Sequence, residues 1–419
     1  MRRWWRLSRG IWIAAWTVGS IWAQQKTLTW EAAKAEFLAV NPTIQAGQLG
    51  VQESRAEEIT AFLRPNPDLT VAVDQINPFT GHPYRPFGAA LTFVASSYLV
   101  ERRHKRELRL ESAKQGTAIA VSQLSDQERN LLFNVRTAFV QVLHQKAALT
   151  VMRENLGFYD RVLDVSRDRF KVGDIAQMDL DRLELQRAQF ESDVETAAVN
   201  LRTGKIQLRA LLNDHTPVDQ LDVAGAFEYG EVRTPLEEFR QVAFDNRPDL
   251  LAAVQSVTQA NTNYALAEAN GSADPTIGWD WGHETPDISA FTGISVNIPL
   301  RIFDRNQGEK ARTKLDITRN ERLVDAAKLQ VVNDVDSAYA TLQTALILLR
   351  PYKTKYLEQA VRVRESVTIA YQHGGASLLD FLQAQQDYRG IQLSYLNLVG
   401  SFLSAAAQLN LAVGREVIQ

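Results

Sequence analysis

The chain has 419 residues, a formal net charge of -3 and 23% charged residues, which leaves no basic footprint for nucleic acid and no acidic disordered tail. It has no cysteine, so disulfides, thiolate metal sites, cysteine nucleophiles and a lipid-carrying N-terminal cysteine are all excluded. Its 22 Gly and 13 Pro are gathered in a few places and leave long stretches free for helix.

Arg2, Arg3, Arg6 and Arg9 precede a mostly apolar run, Gly10 to Gly19, and Ile21-Trp22-Ala23 has the form of a cleavage site. Residues 1–23 are therefore expected to be a secretory signal peptide. The other reading is a membrane anchor, but the run is short of the roughly 20 residues a spanning helix needs. No later segment is expected to match a spanning helix in length and apolarity. The mature protein is thus expected outside the cytoplasm, either soluble or inserted by a β-barrel.

Thr29 to Leu63 is helical in pattern, with a break at Asn41-Pro42, because proline disfavours helix before it and suits the first turn after it. Arg64-Pro65-Asn66-Pro67 stops the helix. Two alternating segments follow. In one, Leu69, Val71 and Val73 oppose Thr70, Ala72 and Asp74; the other runs from about Ala89 to Tyr98, beyond a turn-rich loop at Asn77 to Pro83. Glu101 to Phe170 has no proline, and a continuous helix there would reach roughly 100 Å. Leu131, Val135, Ala138, Val142 and Leu149 keep coiled-coil spacing along it. After a turn, Val172 to Asp179, a return helix from about Met178 to Leu212 carries Leu183, Phe190, Val194, Ala197 and Leu201. Such a stripe is packing rather than a cofactor box.

The plan then repeats at an offset of about 200 residues. Asn41-Pro42-Thr43-Ile44 answers to Arg247-Pro248-Asp249-Leu250, Val135-Arg136-Thr137-Ala138-Phe139 to Val335-Asp336-Ser337-Ala338-Tyr339, and Phe170-Lys171-Val172-Gly173 to Tyr371-Gln372-His373-Gly374. Residues 24–213 are expected to form the first repeat, 214–234 a connecting segment, 235–414 the second repeat and 415–419 a tail. In the second repeat Ile277, Trp279 and Trp281 alternate with Gly278, Asp280 and Gly282, Thr285-Pro286-Asp287 makes a turn, and Ile294, Val296 and Ile298 alternate with Ser295 and Asn297. The return helix, Leu378 to Val413, follows Val335, Tyr339, Leu342, Leu346 and Leu349.

One strand face is apolar and aromatic, the other small or polar. That suits a sheet between lipid and water, or a soluble hairpin over a core. On the first reading Phe93, Trp279 and Trp281 face lipid or its interface, and Asp74, Asp280 and Asn297 face a lumen. Four strands cannot close a barrel, whose smallest members have about eight, and open strand edges cannot face lipid. Copies must then share one barrel: three chains give twelve strands above a tube of helices. The fold class expected is mainly α with a small β part.

Several segments resemble the TolC-like outer-membrane efflux protein family. Leu28-Thr29-Trp30-Glu31-Ala32-Ala33 leads to Asn41-Pro42, and Pro235-Leu236-Glu237-Glu238-Phe239 leads to Asn246-Arg247-Pro248-Asp249-Leu250. Arg169-Phe170-Lys171-Val172-Gly173 precedes Asp179-Leu180, and Tyr371-Gln372-His373-Gly374-Gly375 precedes Leu379-Asp380-Phe381-Leu382. The resemblance covers nearly the whole mature chain. It implies a homotrimer with a barrel in the outer membrane and helices in the periplasm. It also implies a periplasmic adaptor (membrane fusion protein), an inner-membrane pump and a passive duct for drugs or metal cations, with no catalysis and no cofactor. Pro65-Asn66-Pro67 is similar to the metal-cation branch.

The resemblance makes the two helical turns, with Gly173, Asp174, Asp179, Gly374, Gly375 and Asp380, the periplasmic entrance and adaptor contact. Gly173, Gly374 and Gly375 suit turns with positive φ. Rings of Asp179 and Asp380 would favour cations; alternatively each complements the dipole of its return helix. Gln383 departs from relatives that carry a second acidic ring there. The six histidines form no metal-ligand pair, and no triad, phosphate loop or catalytic carboxylate pair stands out. Two other classes compete with the duct: a periplasmic coiled-coil scaffold or adaptor without a channel, for which the β content is too small, and an exported helical enzyme, which has no visible site.

Overall fold

A computed structural model describes residues 26–79, 81–88, 90–284 and 288–418. The expected signal segment, Thr80, Ala89, the turn at 285–287 and Gln419 lie outside the described residues.

The described residues open on a three-residue strand, β1 (Lys26–Leu28), then α1 (Trp30–Val40) and α2 (Pro42–Phe62). Asn41 separates the helices as expected, and its side chain accepts from the Thr43 and Ile44 amides to cap α2. Strands β2 (Asp68–Asp74) and β3 (Leu91–Leu99) lead into α3 (Lys105–Lys171), whose 67 residues span about 100 Å. Helix α4 (Gln177–Leu211) returns, and β4 (Leu221–Val223) follows. The same order recurs as α5 (Leu236–Asn246), α6 (Pro248–Asn270), β5 (Thr276–Glu284), β6 (Ile288–Asn297), α7 (Gln307–Pro351), α8 (Leu357–Gln372) and α9 (Leu378–Val413). Pro351 has no N–H to donate backwards, and the chain absorbs this with a π turn, Tyr352–Tyr356, before α8 continues. Together α7, the π turn and α8 match the length of α3, so both halves reach the same distance from the sheet.

β2, β3, β5 and β6 form one antiparallel sheet in that order. β1 and β4 form a parallel pair that the sequence pattern did not reveal, joining the start of the chain to its middle. Near this pair Leu28, Phe37, Ile44, Val135, Phe139, Leu208 and Leu221 make one core. Phe239, Val335, Leu342, Leu346, Phe402 and Leu409 make its counterpart in the second half. Between this equator and the sheet, α2, α3, α6 and α7 pack in that order; on the other side α3 packs on α4 and α9, and α9 on α7 and α8. The expectation about spanning segments needs correction: α9 is long and apolar enough to cross a membrane, but more than half of its apolar stretch is buried inside the chain. Its apolarity serves packing on several sides.

Ion pairs fasten the equator. Lys26 Nζ bonds Glu36 at 2.8 Å and Asp214 at 2.9 Å. Burial alone would raise the Asp214 carboxyl, but hydrogen bonds from Thr216 and Lys26 outweigh it and hold the pKa down at about 2. Arg247, 4% exposed, stands where the first half has Asn41. It donates to Asp334 at 2.8 Å, to Asp249 at 2.6 Å and to the Ala412 carbonyl at 3.3 Å. The connecting segment is ordered: Phe227, Tyr229 and Val232 pack on the core, and Gly225 passes close to Leu143.

Candidate functional site: the sheet faces and the helical tips

Residues directly opposite across a ladder share a face, so the register sorts every side chain of the sheet. Val71, Val94, Trp281 and Thr292 stand in one row, and Leu69, Ser96, Trp279 and Ile294 in another on the same face. Val73, Thr92, Tyr98, Ile277, His283 and Val296 complete this face, which carries no Asp, Glu, Lys or Arg. Its large apolar groups stand open: Leu69 is 72% exposed, Trp279 51%, Trp281 46% and Ile294 82%.

The opposite face holds all four carboxylates of this sheet's described residues, Asp68, Asp74, Asp280 and Glu284, with Asn297. Asp74, Asp280 and Asn297 are thus together, as expected from alternation. Asp68 and Glu284 were not singled out, although each keeps the parity of its strand's other Asp. Phe93 does not belong with the tryptophans. It pairs with Ala72 and Gly282 and therefore lies on the carboxylate face. Local alternation fixes only which residues of one strand share a face; the phase relative to other strands comes from pairing. The carboxylate face is lined with glycine where bulk would collide. The Phe291 ring lies over Gly282, and a Cβ at Gly293 would stand 2.7 Å from an Asp280 oxygen.

At the other end of the molecule, two helical turns are built alike. After α3, Gly173 has φ +85°, its amide donates to the Phe170 carbonyl at 3.0 Å, and Asp174 N donates to the Arg169 carbonyl at 2.9 Å. After α8, Gly374 has φ +76°, donating to Tyr371 at 3.1 Å, and Gly375 N donates to Ala370 at 2.7 Å. Both are Schellman motifs, in which the residue after the C-cap must be left-handed. Gly375 corrects the expectation: it occupies the next position and has no positive φ.

The turns differ in the next step. Ser377 caps α9, its hydroxyl accepting from Asp380 N at 3.2 Å, while the Asp380 carboxylate accepts from Ser377 N at 3.1 Å. This capping box was readable as a Ser followed three residues later by an acid. The Ser377 hydroxyl and amide, both donating to the Asp380 carboxylate, hold its pKa below the ordinary range. In the first turn Ala176 stands at the N-cap, so the half-exposed Asp179 has no such partner. Arg169 links the two tips by donating to the Tyr371 carbonyl at 3.0 Å, and it lies 3.6 Å from Asp174. Behind them Tyr159, Phe190, Tyr371 and Phe381 form one aromatic cluster in which Tyr371 stacks on Phe381. Among the described residues no group of His, Asp and Glu is placed to hold a metal ion.

The profile of the family described as "Outer membrane efflux protein" matches residues 35–214 and again 240–415. The chain belongs to the outer membrane efflux protein family. This efflux protein is 23% identical over 390 residues to the cobalt-zinc-cadmium resistance protein CzcC of Cupriavidus metallidurans, covering 93% of this chain and 90% of the relative. It is 21% identical over 318 residues to the outer membrane protein TolC of Vibrio cholerae, covering 73% of this chain and 72% of the relative. Among solved structures it is similar to CusC, with a TM-score of 0.74 at 18% identity over 92% of each chain. It is also similar to the outer membrane protein VceC of Vibrio cholerae, with a TM-score of 0.70 at 15% identity over 92% of this chain and 96% of that one. The family is one of channel proteins. The efflux protein is accordingly a subunit of an outer-membrane channel, with its helical part in the periplasm.

Proposed function

We propose that three copies of this efflux protein close one twelve-stranded barrel and form a passive duct, catalysing no reaction, that accepts solutes from an inner-membrane pump through a periplasmic adaptor. The observation that carries the reading is the segregation of charge across the sheet: four carboxylates on one face and none on the apolar, open face. The uncharged face is the lipid face, with Trp279 and Trp281 in it, and the carboxylate face lines the lumen. β2 and β6 are edge strands with unpaired backbone groups, which hydrocarbon does not tolerate. Pairing β6 of one copy with β2 of the next removes both edges. The helices support the same closure, because the outer members of the row, α2 and α7, expose Leu49, Ile59, Leu315 and Leu329 by 58%, 68%, 71% and 73%. Residues 24–213 and 235–414 are read as tandem halves of this wall, joined by 214–234 and followed by the tail 415–419.

Metal cations are the favoured cargo. The lumen face has carboxylates and neither Lys nor Arg on the described strands, and CzcC, the cobalt-zinc-cadmium resistance protein, is a relative. The tips, with Gly173, Asp174, Asp179, Gly374, Gly375 and Asp380, form the gated periplasmic mouth and meet the adaptor. Of their acids Asp179 is free to face passing ions, whereas Asp380 is engaged with Ser377. Single-channel recording tests the reading. Asp74→Asn with Asp280→Asn should lower the cation-to-anion permeability ratio, and Asp179→Asn should change the closed-state leak. A monomer in detergent, or unchanged selectivity in the lumen variant, refutes it.

A further inference from the structure

All four strands end on the helical side at one level, since Asp68 pairs with Ser97, Leu99 with Thr276 and Thr276 with Asn297. The segments that flank this rim, 64–67, 100–106, 271–275 and 298–306, carry Arg64, Arg102, Arg103, Lys105, Arg106, Arg301 and Arg305 against only Glu101, Asp274 and Asp304. The opposite rim has one charged side chain, Arg85, in its described loop at 75–79, 81–88 and 90.

The rim acids are already engaged. Glu101 pairs with Arg109, and Asp274 takes Lys105 Nζ at 2.6 Å and the Arg102 amide at 2.9 Å. Asp304 caps the Asn306 amide at 2.8 Å and lies 3.9 Å from Arg301. Arg102, Arg103 and Arg305 are exposed and have no ion pair among the described residues. They are neighbours around the α6–β5 junction: Arg102 bonds Asp274, and a Cβ at Gly271 would lie 2.7 Å from the Arg305 carbonyl. In the same segment as Arg305, Leu300, Ile302 and Phe303 are 78%, 60% and 90% exposed.

We propose that this rim is a docking collar for anionic phospholipid headgroups of the periplasmic leaflet, with Arg102, Arg103 and Arg305 meeting phosphate and Leu300, Ile302 and Phe303 seated among the acyl chains. The inference rests on the apolar sheet face being the lipid face. Membrane depth then puts the arginines at headgroup level, where long cationic side chains reach phosphate while apolar neighbours stay in hydrocarbon. Guanidinium groups without a carboxylate partner suit phosphate through parallel N–H donors; of these three, Arg305 also donates from Nε to the Arg301 carbonyl at 3.3 Å.

The test uses the full assembly in bilayers that mix phosphatidylethanolamine with phosphatidylglycerol, followed by native mass spectrometry of retained lipid. The wild type should retain phosphatidylglycerol in preference. Each arginine removed should weaken that preference about fivefold, so Arg102→Gln with Arg103→Gln and Arg305→Gln should abolish it. Arg85→Gln on the far rim should leave it unchanged. No preference in the wild type, a preference surviving in the triple variant, or full displacement by inorganic phosphate overturns the proposal. If the triple variant does not assemble, the single Arg305→Gln variant and the loss of preference at high salt decide in the same way. Insertion into neutral bilayers is scored separately. Normal insertion without lipid preference rejects the collar alone, and failed insertion of the wild type rejects the lipid face itself.

Discussion

Trp281 and Asp280 are neighbours in β5 but stand on opposite faces of the sheet, so the same new charge at each should have different consequences. The nine residues of β5 extend about 30 Å, and at a tilt of about 40° they rise through roughly the 25 Å of an outer-membrane apolar band. Asp280 is the middle residue of the strand and Trp281 the next, so in the proposed barrel both lie near the midplane. Trp281→Arg puts a guanidinium into hydrocarbon at a cost of about 2–4 kcal/mol per copy, or roughly 6–12 kcal/mol across three copies if they act independently. Asp280→Arg, one residue away and on the proposed lumen face, should cost less than about 1 kcal/mol and change ion selectivity instead. Heat-modifiable migration and urea titration in bilayers measure both. Equal losses in the two variants, or an unaffected Trp281→Arg, would sink the assignment of faces.

Three further outcomes are expected. Gly374→Ala should destabilise the second tip by about 1–2 kcal/mol because of its left-handed φ, whereas Gly375→Ala should stay within about 0.5 kcal/mol; hydrogen exchange of the Tyr371 and Gly374 amides separates them. Arg247→Met should cost about 1–3 kcal/mol, since it takes one donor each from Asp334, Asp249 and the Ala412 carbonyl, although Asp334 keeps Gln330 and Asp249 keeps Arg129; denaturant unfolding reads this. Asp214 has a folded pKa of about 2 against an ordinary 3.8, so its contribution is complete above about 3.8 and is lost as pH falls towards 2. Asp214→Asn should flatten the acid side of the stability profile over that window, and an unchanged slope would remove the Lys26 clamp from the account.

Much of this architecture was legible because its signals are local and repeated. Asn41-Pro42 divides two helices and Arg64-Pro65-Asn66-Pro67 ends one, each by proline geometry that no tertiary contact needs to supply. The stripe at Val135, Val142 and Leu149 is buried as its spacing implied. What was missed depends on partners distant in sequence. β1 and β4 have three residues each, too few for alternation to register, and exist because residues about 195 apart pair side by side. Phe93 took the wrong face because parity within β3 says nothing about its phase against β5. Gly374 and Gly375 look interchangeable in the sequence, yet only one occupies the left-handed position that the Schellman bonds define. The box at Ser377 and Asp380 carried a local signature, and it explains why the two tip acids are not equivalent.

The matched reach of α3 and the α7–α8 wall acts as a ruler with two independent edges. Deepening the duct by two turns needs about seven residues in each outgoing helix, and the same again in α4 and α9. Four coordinated insertions are then required before the lower lip is level again. An insertion in one helix alone would leave a stepped orifice, with one hairpin protruding beyond its neighbours in every protomer. Variation in depth among natural sequences should therefore come in quartets of whole-turn insertions at corresponding sites.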